Sequence, residues 1–198
     1  MSAEKPPRPL RADARRNRER ILRTAREAFA AEGIGVPLDE IARRAGVGAG
    51  TVHRHFPTKE ALFEAVVGEH LEQLTRDARA ALEAPEPGPA FFGFATRMAE
   101  EAGAKQDLAE AVARSARSMG AGTEELAARL REVFAELLSR AQAAGAVRAD
   151  VDAVDVQAVV VAAVTAGRRY GEHGEHARAR RLAALVLDCL RPAGEGHS

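Results

Sequence analysis

The chain is poor in the groups that disulfide-stapled folds and most enzymes rely on. It has a single cysteine, Cys189, so no disulfide can form within it, which fits a reducing compartment. Leu185, Val186 and Leu187 come just before that cysteine, and the pattern predicts an inert core thiol. The longest weakly polar run, Val154 to Gly167, is interrupted by Asp155 and Gln157. It also falls short of the roughly 20 residues that a membrane span needs. Met1 to Pro7 carries charge and proline but no apolar stretch, so no secretory signal is expected there. The expectation is a cytoplasmic protein with no membrane partner.

Catalytic patterns are missing too. No Ser/His/Asp set, Cys/His pair or Gly-rich phosphate loop is arranged for chemistry, so we expect no catalytic residues, no cofactor and no enzyme. The nearest approach to a metal site is His173-Gly174-Glu175-His176, beside Glu172. It has no third fixed ligand and reads as a solvated loop, so no metal site is expected.

What is abundant is Ala, Leu, Arg and Glu, while aromatics are only 4%. Alanine loses no side-chain entropy in a helix and the straight-chain residues lose little, so the composition predicts an all-α chain. The formal net charge is zero, but the charges are unevenly placed. Residues 1–59 hold 13 Lys/Arg against 7 Asp/Glu, and the remainder holds 16 against 22. A basic end on an acidic body suits a protein that offers one end to a polyanion, although a solvated charged helix would account for the charge equally well.

Residues 1–13 contain three prolines and little apolar material, and they read as a mobile basic arm. From Ala14 a helical period begins, with Ile21, Leu22, Ala25, Ala28 and Phe29 on one side, and Gly33 and Gly35 stop it. Pro37 opens a short helix whose inward face is Leu38, Ile41, Ala42 and Ala45, and Gly46 closes it. Val47 to Phe56 forms a second short helix, ended by Pro57. Thr58 then caps a long helix to about Glu83. The segment 84–89, with prolines at 85, 87 and 89, reads as a hinge. Beyond it the periodicity predicts helices at 90–103, 106–118, 123–144, 153–170 and 175–190, and fraying after Arg191.

Two short helices joined by a tight glycine turn, each apolar on one side, make a helix-turn-helix. The crossing needs a small residue, Ala42; the turn needs one that tolerates positive φ, Gly46; and the second helix needs apolar anchors, Val47, Val52 and Phe56. Its outer face is then Ala49, Gly50, Thr51, His53, Arg54 and His55. Small residues at its start let backbone N–H groups approach a phosphate. Arg54 projects where it could reach guanine in the major groove. Spacing alone leaves a plain two-helix packing unit open.

The run from Leu38 through Leu62, LDEIARRAGVGAGTVHRHFPTKEAL, resembles the DNA-binding signature of the tetracycline-repressor (TetR) family. The likeness extends back over Ile21, Leu22, Ala25, Ala28, Phe29 and Gly33 and covers about residues 14–68. It implies an N-terminal three-helix DNA-binding domain linked by a long helix to a larger helical domain, 69–191, for effector binding and dimerisation, with 192–198 a disordered tail. By the same resemblance Thr51, His53 and Lys59 would contact phosphates, Arg54 would read bases, and His55 would touch the backbone. Arg8, Arg11, Arg15, Arg16 and Arg18 resemble the basic extension that many members place near DNA, and a solvated arm explains them as well. Two positions depart from the pattern. His53 replaces a usual Tyr, and Gly48 stands where a capping Ser is common.

In the larger domain the resemblance is one of architecture, and it implies a homodimer on a palindromic operator and a ligand-responsive repressor. Val154 to Ala166 is apolar almost all round, so it should be buried all round, with Val160 and Ala163 at a seam between protomers. Phe91, Phe94, Met98, Val112 and Phe134 are candidates to line a pocket for a small, largely apolar effector, though each serves equally as core. Two other functions stay open at this point: a helical protein-interaction adaptor without specific DNA binding, and an enzyme.

Overall fold

The structure is a computed structural model that describes residues 8–104, 120–169 and 175–192. Among the described residues there are eight α-helices and no strand. In chain order they are α1 (Arg8–Glu32), α2 (Leu38–Ala45), α3 (Ala49–His55), α4 (Lys59–Leu82), α5 (Pro87–Ala104), α6 (Ala121–Ala143), α7 (Ala153–Arg169) and α8 (Glu175–Asp188). The all-α expectation holds. The helix expected at 106–118 lies outside the described residues, as do His173 and Gly174 of the segment read as a solvated loop, and the tail 193–198.

Two helices begin earlier than periodicity indicated, for one reason. Residues 8–13, expected in the arm, belong to α1, and the hinge prolines Pro87 and Pro89 lie in the first turn of α5. The first N–H groups of a helix have no partner within it, so a proline there removes nothing. Only 83–86 separates α4 from α5. At Gly88 a Cβ would lie 2.6 Å from the Ala146 Cβ, so the start of α5 meets the α6–α7 connection at a distance that no side chain allows.

Buried apolar residues form two clusters. The first joins α1 to α4 around Ile21, Leu22, Phe29, Ile41, Val52, Phe56, Leu62 and Phe63. The second begins at Ala78 and gathers Phe91, Phe94, Phe134, Leu137, Val156, Val160, Leu187 and Leu190. Two helices serve both: α4 gives Leu62 and Phe63 to the first cluster and Ala78 to the second, while Leu126, Ala127 and Leu130 of α6 pack on the first and Leu130 also touches the second. At the start of α7, Asp152 Oδ1 accepts from the N–H of Val154 and Asp155, each at 2.8 Å, while the Asp152 N–H donates to Asp155 Oδ2 at 3.1 Å. This reciprocal cap fixes where α7 begins.

Within the protomer the described side chains of α7, residues 153–162, are buried on one side only. Val156 and Val160 are inside, whereas Val154, Val159 and Val161 are exposed, and Leu185 of α8 is exposed as well. Val160 therefore belongs to the protomer's own core, and the seam position assigned to it is corrected. The side chain of Ala163 lies outside the described residues. Cys189 is exposed, which corrects the buried thiol expected from its neighbours. At the helix end Leu187 and Leu190 turn inward, and Asp188 and Cys189 between them are carried outward.

Candidate nucleic-acid interface

The basic end is built around α2 and α3. Pro37, extended at φ −67° and ψ 149°, leads into α2, and Asp39 and Glu40 occupy its first turn, where the helix dipole favours them. Gly46 ends α2 in the left-handed region at φ 63°. Its N–H donates to Arg43 O at 3.2 Å, and the Val47 N–H donates to Ala42 O at 3.1 Å. These bonds satisfy the last carbonyls of α2 and turn the chain sharply toward α3. Ala42 is buried at the crossing, and Val52 and Phe56 anchor α3 at 0% and 3% exposure. Truncating a side chain buried like Phe56 typically costs about 3–5 kcal/mol.

With its inner side fixed this way, α3 presents Ala49, Gly50, His53 and Arg54 to solvent, and Thr51 and His55 are half-buried beside them. A Cβ on Gly50 would meet nothing within 4 Å. The Gly48 substitution is tolerated, since its backbone is already extended at φ −66° and ψ 142°. Pro57 and Thr58 then set the start of α4: Thr58 Oγ1 accepts the Ala61 N–H at 3.1 Å, and Lys59, half-buried, is the first residue of the helix. All seven residues expected at the interface are therefore on α3 or at the first position of α4.

Some positive charge is already used. Arg43 donates to both oxygens of Glu40, at 2.8 and 2.7 Å, and Arg44 donates to Glu40 at 2.7 Å and also pairs with Glu32. Hydrogen bonds from Arg43 and then Arg44 hold the Glu40 carboxyl down at about 2, and the Arg44 bond lowers Glu32. The spacing of Glu40 to Arg43 and Arg44 is the helical i,i+3 and i,i+4 signal that could have shown this from the sequence. In α1, Arg15 pairs with Glu19 at 3.1 Å and Arg16 with Asp13, while Arg18 lies 5.5 Å over the Phe56 ring. The side chains of Arg8 and Arg11 lie outside the described residues. His53 Nε2 stands 3.4 Å from Asp39 Oδ1, an ion pair when the imidazole is protonated and a contact the sequence reading missed. No ion pair among the described residues engages Arg54 or Lys59.

The effector candidates are placed differently. Phe91 and Phe134 stack at 5.9 Å between centroids, and Phe94 lies 6.1 Å from Phe134, so these three fill the second core. Met98 is half-buried beside them, and Val112 lies outside the described residues. An open groove of about 430 Å³ runs between α4 and α5, lined by Asp77, Ala80, Ala81, Ala84, Pro89, Ala90, Gly93, Phe94 and Arg97. It takes only Phe94 from the expected set. Sequence reasoning passed over its walls because alanine carries no ligand signal.

Two stretches of the chain match known protein families. Residues 21–66 match the model for bacterial regulatory proteins of the tetR family, and residues 86–192 match the SbtR-like transcriptional regulator C-terminal domain. The chain belongs to the TetR family of transcriptional regulators. A TetR transcription regulatory protein from Mycobacterium vanbaalenii has a similar structure, with 42% identity and a TM-score of 0.69, over 92% of this chain and 99% of that one. The TetR regulator SCO0520 of Streptomyces coelicolor is 33% identical with a TM-score of 0.70, over 89% and 99%. Over 67 residues the chain is 40% identical to an uncharacterised HTH-type regulator, TtgW, of Pseudomonas putida. That match takes in 33% of this chain and spans half the length of its curated relative. In this TetR-family chain, no described helix is long and apolar enough to cross a membrane.

Proposed function

We propose that the chain binds a palindromic operator as a homodimer, in the cytoplasm, and represses transcription until a small, largely apolar effector lowers its affinity. The observation that carries this reading is α3 itself. The helix is anchored by Val52 and Phe56, exposed along His53 and Arg54, and followed by Lys59 at a capped helix start. A helix held in this way can enter the major groove with Arg54 at base edges and Lys59 at the backbone. Thr51, His53 and His55 are proposed phosphate contacts, and Ala49 and Gly50 let the backbone approach.

One such helix reads only a few base pairs, so tight binding needs two. The exposed Val154, Val161 and Leu185 on α7 and α8 are the proposed contact between copies. For the effector, the open α4–α5 groove offers a largely apolar lining that also includes Asp77 and Arg97. Selection of bound duplexes from a random pool, with sedimentation of the free protein, tests the reading. Enriched palindromes and a dimer are expected. A monomer at micromolar concentration, or no enriched sequence, overturns it.

A further inference from the structure

We propose that Glu64 of α4 sets the pose in which the DNA-reading unit sits on the rest of the protomer, and thereby the operator spacing the protein accepts. The inference rests on the reading of a dimer that grips two half-sites.

Helix α6 begins at Ala121 after Gly120, which has no side chain to cap it. Four N–H groups at a helix start lack internal partners, and the end carries partial positive charge. A carboxylate from another helix answers both needs here. The Gly120 N–H donates to Glu64 Oε1 at 3.3 Å, and a Cβ on Gly120 would lie 3.5 Å from Glu64 Oε2. The acid in the first turn of α6 itself, Glu124, is drawn instead to Arg131 at 2.8 Å. One turn further along α4, a Cβ on Gly68 would stand 3.4 Å from Leu126 Cδ1, so the two helices run close together. Leu126, Ala127 and Leu130 continue the contact onto the core of α1 to α4. The contact thus has a polar latch at one end and an apolar slope that by itself permits sliding.

Glu64 is half-buried at the edge of that core and none of the core's apolar members depends on it. Removing its carboxylate should free the pose without unfolding the unit. The same α4 begins at Lys59 and follows directly on α3, so whatever tilts α4 tilts the reading helix. In a dimer, two rigid poses accept one half-site separation, whereas two loosened poses accept several. Glu64 is in this sense a positioning residue.

The test uses the full chain and the palindromic duplex that wild type selects from a random pool, together with versions carrying one base pair more or fewer at the centre. Each change moves the half-sites by about 3.4 Å and turns them by about 35°. Wild type is expected to lose about tenfold or more on respacing, and Glu64→Ala no more than about threefold. Affinity for a single half-site should be equal in the two proteins. Glu64→Gln keeps an oxygen that can accept from Gly120, so it should restore part of the discrimination. If the alanine variant fails to fold, Glu64→Leu, which keeps the bulk of the side chain but has no acceptor, carries the test in its place. Equal respacing losses in wild type and in the folded variant overturn the inference and leave the dimer reading intact. A wild type that selects no two-half-site duplex overturns that reading, and the inference with it.

Discussion

The two ends of the protomer leave opposite kinds of surface uncovered. At the N-terminal end the apolar side chains of four helices are turned inward, and what remains outside is His53, Arg54, Lys59 and a set of paired arginines. At the C-terminal end the outer side of α7 and α8 shows Val154, Val161 and Leu185. A bare cationic helix face is stable in water and meets a polyanion through counterion release. A bare valine and leucine face is in its lowest free energy only against another apolar face. The contrast accords with the proposed reading, in which one protomer meets two partners of different chemistry.

The largest expected effect comes from attacking the apolar end. Leu185→Asp should give monomers by sedimentation and lower operator affinity by two orders of magnitude or more, roughly the gain that linking two binding sites provides. Val160→Asp should instead unfold the protomer, since an unpaired charge in the core costs several kcal/mol. If both variants merely unfold, the exposed face of α7 and α8 is not distinct from the face buried in the protomer. At the cationic end, Arg54→Ala should cost about 1–3 kcal/mol at one operator position and relax the selected sequence there. Lys59→Ala should leave the selected sequence alone and reduce the salt slope by about one. An Arg54→Ala protein that selects the wild-type sequence would make Arg54 another phosphate contact.

A smaller effect tests how the cationic end holds itself together. The Glu40 carboxyl is held at about 2 by Arg43 and Arg44, against an ordinary value of 4.5. A depressed acid stabilises the fold above its unfolded pKa, and that contribution is lost as pH falls from 4.5 to about 2. Glu40→Gln should therefore flatten the acid limb of the unfolding curve in that window. Urea midpoints measured across it check this, and an unchanged limb would show that the arginine pairs contribute nothing.

The reading unit was legible because its helices are short and their ends are chemically marked. Gly46 needed positive φ, Pro57 could not continue a helix, and Thr58 was a capping residue, so boundaries at α2 to α4 were read to within a residue or two. The same logic placed α6, α7 and α8 within two residues at each end. What stayed hidden was orientation. A helix apolar all round has no preferred side in its sequence, so Val160, buried, and Val161, exposed, looked alike. Cys189 was hidden for the same reason. The prolines at α5 misled because a proline breaks an interior turn yet suits a first one.

Helix α6 has a consequence for domain grafting. The short connection at 83–86 looks like the place to cut if this DNA reader is to be joined to a different sensor. A fragment ending there would lose Leu126, Ala127 and Leu130 from its core and the N–H that Glu64 accepts. A graft that keeps this reader's specificity therefore has to carry the first three turns of α6, or supply equivalent residues from the acceptor, although they follow the cut by some forty positions in the chain.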